Sequence, residues 1–238
     1  METPQQKSKL IFLDTETTGN EEHDHLCAIA FRCNALTVDE FFKPPLPISL
    51  EAMAVTGITN KMVADRIPFQ GSNIHVVLKQ IFDEGTILVA HNAEFDRKML
   101  LKEGVNIKPE QVICTMKVAR HLDVEDKVPN YKMQYLRYFY ELEIEADAHN
   151  ASDDILVLEA IFDKLNEKVS IEEMLKITQE PFLLRKLTFG KHKGIPFQAV
   201  PRDYMIWLRR QDKIEGDLLY TLNYYINQSG SQNMDLGD

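Results

Sequence analysis

The stretch Ile11-Phe12-Leu13-Asp14-Thr15-Glu16-Thr17-Thr18-Gly19 leads from apolar residues directly into two carboxylates. The apolar residues predict a buried strand over 9–13. If the extended backbone continues, residues i and i+2 project from one face, so Asp14 and Glu16 can direct their side chains to one point. Two such charges repel each other unless a cation lies between them, and Mg²⁺ and Mn²⁺ prefer oxygen ligands. Taken alone, however, the pair is more typical of a polar turn after a strand.

The rest of the first 170 residues alternates between short apolar runs and amphipathic patterns. The apolar runs at 26–33 and 36–42 predict two strands that form an antiparallel meander with the first. Further strands are predicted at 87–90 and from 112, and helices are predicted at 72–83, 130–141 and 153–168. Strands that alternate with helices in this way favour an α/β fold, with a mixed β-sheet flanked by helices.

The character of the chain changes near residue 170, where we predict a domain boundary. Residues 170–228 are expected to form a small basic module, mainly helical, with a glycine-bounded basic turn at 187–194. Residues 229–238 are polar and are predicted to be a frayed tail.

Charge is distributed unevenly along the chain. The net charge is −10, but residues 185–213 carry +6 and the remainder −16. This balance argues against a protein that coats nucleic acid, which would normally be basic, but it does not exclude a nuclease. An acidic body is consistent with bound divalent cations.

Cysteine use and hydropathy indicate an intracellular, cytoplasmic protein. Cys27, Cys33 and Cys114 form no CxxC pair and lie among apolar residues, as expected for reduced thiols. No apolar run approaches the roughly 18 residues of a membrane span, so no membrane partner is expected. The polar start, Met1 to Lys9, shows no secretory signal.

Two later segments place further acids beside predicted strands and helices. Asp96 follows the strand 87–90 in the first turn of a helix that Asn92 is predicted to cap. Asp154 is predicted in the first turn of the helix that Ser152 caps. His149 lies just before it on a loop, where a pKa near 6.5 suits a proton acceptor. Individually, Asp96 also fits a helix-dipole acid and His149 a surface histidine.

Taken together, these motifs resemble those of the DEDDh 3′→5′ exonucleases, a superfamily with a ribonuclease H-like fold. The resemblance rests on Asp14-Thr15-Glu16, on Asn92-x-x-Phe95-Asp96, and on His149 followed by Asp154, in the same order and spacing. The segments Phe189-Gly190-Lys191-His192-Lys193-Gly194 and Tyr204-Met205-Ile206-Trp207-Leu208 resemble the accessory region of one branch of that superfamily. The resemblance therefore covers nearly the whole chain.

The resemblance implies a two-metal hydrolysis of phosphodiester bonds that releases 5′-mononucleotides from a 3′ end, in DNA repair or 3′-end processing. Asp14, Glu16, Asp96 and Asp154 would hold two Mg²⁺ ions, with Mn²⁺ able to substitute, and His149 would be the general base. The implied substrate is DNA, single-stranded or duplex. Substrate-binding residues are expected to be Thr15, Thr17, Thr18, Gly19, Asn92, Phe95, Lys191 and Lys193.

Two other functions and one structural alternative stay open at this stage. The same scaffold suits an exoribonuclease that trims RNA, and a non-catalytic nucleic-acid-binding protein is a further alternative. In the C-terminal module, Tyr204 and Trp207 could stack on bases while the basic residues contact phosphates. Alternatively, these aromatic residues form the core of a helical cap whose basic residues only face solvent. The sequence leaves the oligomeric state open.

Overall fold

The computed structural model describes residues 10–144, 151–212, 214 and 216–231. Within these residues, five strands form one sheet in the order β3-β2-β1-β4-β5. The strands are β1 Leu10–Thr17, β2 Leu26–Cys33, β3 Leu36–Phe41, β4 Ile87–Ala90 and β5 Val112–Cys114. β1, β2 and β3 form an antiparallel meander, whereas β4 runs parallel to β1, and β5 parallel to β4. The predicted α/β class and its mixed sheet are confirmed.

Strand β1 continues beyond the predicted end at residue 13. Thr15 and Thr17 are β-branched and buried, which favours extended backbone, and the pairing with β2 continues from Phe12 to Thr17. The register shifts between Glu16 and Thr17, at the end of the strand. Asp14 and Glu16 therefore lie on the strand itself rather than in a turn after it.

Eight helices of the described residues accompany the sheet. They are α1 Leu50–Thr56, α2 Asn60–Val63, α3 Asn73–Asp83, α4 Glu94–Lys102, α5 Thr115–Leu122, α6 Met133–Phe139, α7 Ala151–Asn166 and α8 Ile171–Gln179. Ser49 caps α1 by accepting a hydrogen bond from the Ala52 amide at 3.0 Å. Ser72 caps α3 in the same way through the His75 amide, at 3.1 Å.

Alternate residues of β1 pack into two different hydrophobic cores. Ile11 and Leu13 belong to a core that includes Leu78 of α3 and Leu100 of α4. Leu10 instead packs with apolar residues of α7, such as Leu158. Successive strand side chains point to opposite faces of the sheet, so α4 and α7 cover opposite faces.

The chain divides into two compact units, residues 1–179 and 180–238. This division differs from the predicted boundary near 170 because α8 belongs to the first unit. Met174 and Ile177 of α8 are buried in the core that contains α7, and the Cys114 amide of β5 donates to the Thr178 hydroxyl at 3.0 Å.

The second unit has a hydrophobic core of its own. Its helices within the described residues are α9 Arg202–Arg209 and α10 Gly216–Ser231. The core contains Leu187, Phe197, Met205, Leu208 and Leu222. The predicted tail at 229–238 begins inside α10, and residues 232–238 lie outside the described residues.

Cys27, Cys33 and Cys114 are free thiols, and all three are buried. Burial, together with the nearby Glu16 carboxylate, raises the pKa of the Cys27 thiol to about 12. Among the described residues, no helix combines the length and apolar character that crossing a bilayer requires.

Candidate active site

Asp14 and Glu16 lie on the face of β1 that α7 covers. They continue the alternation of Leu10 and Phe12, which pack into the core shared with that helix. Both carboxylates are half-buried where the strand ends. The predicted arrangement, with two acids on one strand face, is therefore present.

Asp96 reaches the same strand from α4, on the opposite face of the sheet. It is 2% exposed, and its Oδ1 accepts two hydrogen bonds from Thr15, one from the backbone amide at 3.0 Å and one from the hydroxyl at 2.7 Å. The predicted cap of this helix is wrong. Asn92 has a φ of 64° in the turn after β4, and the residue at the N-cap position is Ala93, which makes no side-chain cap.

Asp154 lies in the first turn of α7 and is 7% exposed. Its Oδ1 accepts a hydrogen bond of 2.7 Å from the Nε2 amide of Gln134 in α6, a residue that no sequence motif identified. The predicted cap of α7 is also wrong, because Ser152 is part of the helix, which includes Ala151. His149 lies outside the described residues.

The four acids interact electrostatically. Burial raises the pKa of Asp14 well above its ordinary value, and the charges of Asp96, Glu16 and Asp154 raise it further, in that order. Burial and the charge of Asp154 raise the pKa of Glu16 to about 7. Burial likewise raises the pKa of Asp96 to about 7, although both hydrogen bonds from Thr15 oppose the shift. The structure thus brings the four predicted carboxylates into one electrostatic group.

The four carboxylates supply the type of ligand that divalent cations prefer, but they do not form a complete coordination sphere. No three His, Cys, Asp or Glu side chains in the described part of the chain are arranged to hold a metal ion. Yet no cationic side chain of the described residues forms an ion pair with Asp14, Glu16 or Asp96. Burial and mutual repulsion oppose the ionisation of these carboxylates. A bound hard cation would offset both effects, so the site favours such a cation. The donor set fits Mg²⁺ or Mn²⁺.

The threonines after Asp14 form hydrogen bonds within the protein. The Thr17 hydroxyl donates to the Gly19 carbonyl at 2.6 Å, and the Thr18 hydroxyl donates to Asp24 Oδ1 at 2.7 Å. A Cβ at position 19 would lie 2.5 Å from Asp24 Oδ2, so a larger residue would displace this carboxylate. Burial would raise the pKa of Asp24, but hydrogen bonds from the Thr18 hydroxyl and the Glu21 amide outweigh it and lower that pKa.

A cavity of about 560 Å³ opens beside the carboxylates. Its lining includes Glu16, Thr17, Gly19, Ser49 and Phe95. The volume lies in the range of roughly 300–1,000 Å³ that is usual for small-ligand sites. Thr17, Gly19 and Phe95 were predicted to bind substrate, and their position beside this cavity is compatible with that prediction.

The other predicted substrate-binding residues do not line this cavity. Thr15 and Thr18 are buried, with their hydroxyls bonded to Asp96 and Asp24 respectively. Asn92 is exposed in the turn before α4. Lys191 and Lys193 are exposed in the second unit. For the two threonines, the contacts indicate a structural contribution to the site.

Comparison with known proteins agrees with this geometry. A family model described as Exonuclease (RNase_T) matches residues 11–162. Exodeoxyribonuclease 10 of Escherichia coli K12 is 32% identical over 197 residues, which cover 79% of this chain and 83% of that protein. The PolC-type DNA polymerase III of Caldanaerobacter subterraneus subsp. tengcongensis is 31% identical over 175 residues, which cover 68% of this chain but only 12% of that protein.

Among solved structures, exonuclease X in complex with 5′ overhanging duplex DNA is similar to this chain. The TM-score is 0.55 at 28% sequence identity, and the match covers 71% of this chain and 99% of the other. The similarity therefore extends to the arrangement of sheet and helices that positions the carboxylates.

Proposed function

Because this chain belongs to the exonuclease family, we propose that it is a metal-dependent 3′→5′ exodeoxyribonuclease that releases 5′-mononucleotides. The observation that carries the proposal is the electrostatic group formed by Asp14 with Asp96, Glu16 and Asp154. The choice of DNA is supported by the name of the relative from Escherichia coli and by the DNA in the similar solved structure.

Four carboxylates would hold two divalent cations, with roles taken from the family resemblance. Asp14 would contact both cations, Glu16 and Asp154 would complete one site, and Asp96 would serve the other. When bound, two such cations neutralise phosphate charge and lower the pKa of a water molecule. Each acid would contribute a negative charge at a defined position. Asp14 and Glu16 lie on β1, and the other two acids lie on α4 and α7, which pack on opposite faces of the sheet.

Two neutral side chains would position these ligands. Thr15 bonds one oxygen of Asp96, and Gln134 bonds one oxygen of Asp154, at 2.7 Å in both cases. A hydrogen-bonded carboxylate has fewer orientations, so less order has to be gained when a cation binds. Both residues act through an acid rather than on the substrate, and are positioning residues.

His149 is the proposed general base. It precedes Asp154 by five positions, and an imidazole with a pKa near 6.5 can accept the proton of the attacking water at neutral pH. The pH dependence of His149→Ala tests this role, with the exposed His121→Ala as the matched control. We expect a lower kcat and a flatter profile around pH 6 to 7, with metal affinity unchanged. If metal affinity falls as much as kcat, His149 is a ligand instead.

The cavity beside Glu16 would receive the terminal nucleotide. Phe95 offers an aromatic surface for the base, and Thr17 and Gly19 offer backbone groups at the cavity wall. Asn92 is exposed in the turn before α4 and would contact the DNA strand from there. Lys191 and Lys193 lie in the second unit and would contact phosphates of the DNA outside this cavity.

The experiment compares nucleotide release by the full chain and by Asp14→Asn. Substrates are matched single-stranded DNA, duplex DNA with a 5′ overhang, and RNA, each labelled at the 3′ end, with Mg²⁺, Mn²⁺ or EDTA. We expect metal-dependent release from DNA that Asp14→Asn abolishes, because the variant loses a ligand common to both cations. The exposed Asp83→Asn is the matched control and should retain full activity.

Two results would contradict the proposal. Activity retained by Asp14→Asn would refute the assignment of the ligands, provided that the circular dichroism of the variant is unchanged. Faster release from RNA than from both DNA substrates would favour the exoribonuclease alternative.

A further inference from the structure

The second unit carries a row of aromatic rings between α9 and the turn that precedes it. The ring centroids of His192 and Tyr204 are 4.5 Å apart, and those of Tyr204 and Trp207 are 5.3 Å apart. Gly190 has a φ of 73°, and a Cβ there would lie 2.6 Å from the Tyr204 hydroxyl. The turn therefore packs closely on α9, and Phe189 precedes Gly190 in this turn.

Two members of this group are exposed in a unit that has a complete core without them. Trp207 is 52% exposed and Phe189 is 42% exposed. Helix α9 buries Met205 and Leu208 instead, at 2% and 3% exposure. Trp207 is also the only tryptophan of the chain. Large exposed aromatic residues are characteristic of binding surfaces, because water solvates their faces poorly.

Positive charge flanks these rings. Lys191 and Lys193 are exposed in the turn, and neither forms an ion pair with any other residue that the structure describes. The contrast with the chain as a whole, whose net charge is −10, is strong. Cations without acidic partners attract a polyanion at little electrostatic cost.

We propose that this surface, defined by Phe189, Lys191, Lys193, Tyr204 and Trp207, is a second nucleic-acid site that binds single-stranded DNA. Aromatic side chains interleaved with lysines match an unpaired strand, in which bases stack on the rings while phosphates contact the ammonium groups. The bases of a duplex are already stacked on one another and cannot cover Trp207 in this way. An acidic peptide would satisfy the lysines but would leave the rings without partners.

The choice of DNA rests on the proposed function, and the experiment separates the two. Oligothymidylate is titrated into the full chain in EDTA, where no hydrolysis occurs, and the fluorescence of Trp207 is recorded. We expect saturable quenching, because a stacked thymine quenches indole emission and this signal has a single source. Anisotropy of a labelled oligonucleotide gives the affinity of variants without tryptophan.

Two sets of variants test the stacking and the charge. Trp207→Ala is expected to weaken binding by about 5- to 100-fold, and Trp207→Phe to restore most of the loss. The double variant Lys191→Gln and Lys193→Gln should reduce the salt dependence of log Kd by about 1.4, since each phosphate contact in a single strand contributes about 0.7. Lys79→Gln with Lys168→Gln, two exposed lysines of the first unit, is the matched control and should change neither value.

Several outcomes would overturn the proposal. These are the absence of quenching, unchanged affinity in both Trp207→Ala and the double lysine variant, and tighter binding of matched duplex DNA or RNA. Hydrolysis of the p-nitrophenyl ester of thymidine 5′-phosphate should be equal in the wild type, in both Trp207 variants and in the control with Lys79→Gln and Lys168→Gln, which shows that the carboxylate site is intact. If the proposed function is wrong, the wild type will not hydrolyse this ester. If only the proposal of a second site is wrong, the ester will still be hydrolysed.

Discussion

Replacing Glu16 by glutamine is expected to stabilise the metal-free protein at alkaline pH and not at acid pH. Burial and the charge of Asp154 raise the pKa of Glu16 from its ordinary value of 4.5 to about 7. The stability that the protonated side chain contributes is therefore fully present below pH 4.5. It is lost as the pH rises through about 7, because the unfolded chain releases its proton first.

The size of the effect follows from the same shift. A change of this extent corresponds to at most about 3 kcal/mol in the free energy of unfolding. Glu16 is only half-buried, so solvent screening lowers the expected value to about 2 kcal/mol. Glutamine has nearly the same volume but no charge, so it removes the cost of ionising this side chain and also the repulsion that Glu16 exerts on Asp14 and Asp96.

Urea unfolding in EDTA at pH 4, 6 and 8, followed by far-UV circular dichroism, measures the difference. Glu16→Gln should match the wild type at pH 4 and exceed it by about 2 kcal/mol at pH 8. The exposed Glu110→Gln is the control and should show no such trend. With saturating Mg²⁺ the sign should reverse, because the variant lacks a ligand. A difference that is independent of pH, or a variant less stable than the wild type at pH 8 in EDTA, would refute this reasoning.

Two further substitutions test contacts seen only in the structure. Gln134→Leu removes the hydrogen bond to Asp154 and should lower kcat by roughly 10- to 100-fold with little change in KM. The reason is that hydrogen bonds to charged groups contribute about 1.5–3 kcal/mol. A kcat within twofold of the wild type in steady-state assays would contradict this expectation. Gly190→Ala should destabilise the second unit by about 2 kcal/mol, because it combines a positive φ with displacement of Tyr204. Gly194→Ala, with a φ of 84° and open space, should lose only about 1 kcal/mol, and equal midpoints of thermal unfolding would refute the difference.

Some boundaries of the fold follow directly from the sequence. The predicted bounds of β2 and β4 agree with the structure, because each apolar run is flanked by polar residues or glycine. The end of β1 was predicted at residue 13, since the polar residues after it resemble a turn. Pairing with β2 and the burial of Thr15 and Thr17 extend the strand, and neither is visible in local composition.

The acids of the candidate site were recognisable from the sequence because three motifs occur in order. The residues that donate hydrogen bonds to these acids were not recognisable. Thr15 and Asp96 are 81 positions apart, and Gln134 and Asp154 are 20 apart, so each contact depends on tertiary packing. The predicted cap at Asn92 was wrong for a related reason. This residue takes a left-handed conformation that lets the chain turn from β4 into α4, and it therefore cannot cap the helix.

The buried thiols have a practical consequence for labelling. Maleimides and related reagents attack the thiolate, and burial raises the pKa of Cys27, Cys33 and Cys114, so little of this form is present at neutral pH. All three residues are also buried, which hinders the approach of a bulky reagent. A cysteine introduced at an exposed position such as Ser170 would then be modified selectively, without prior removal of the native cysteines. The wild-type chain is thus a ready background for attaching one fluorophore at a chosen place.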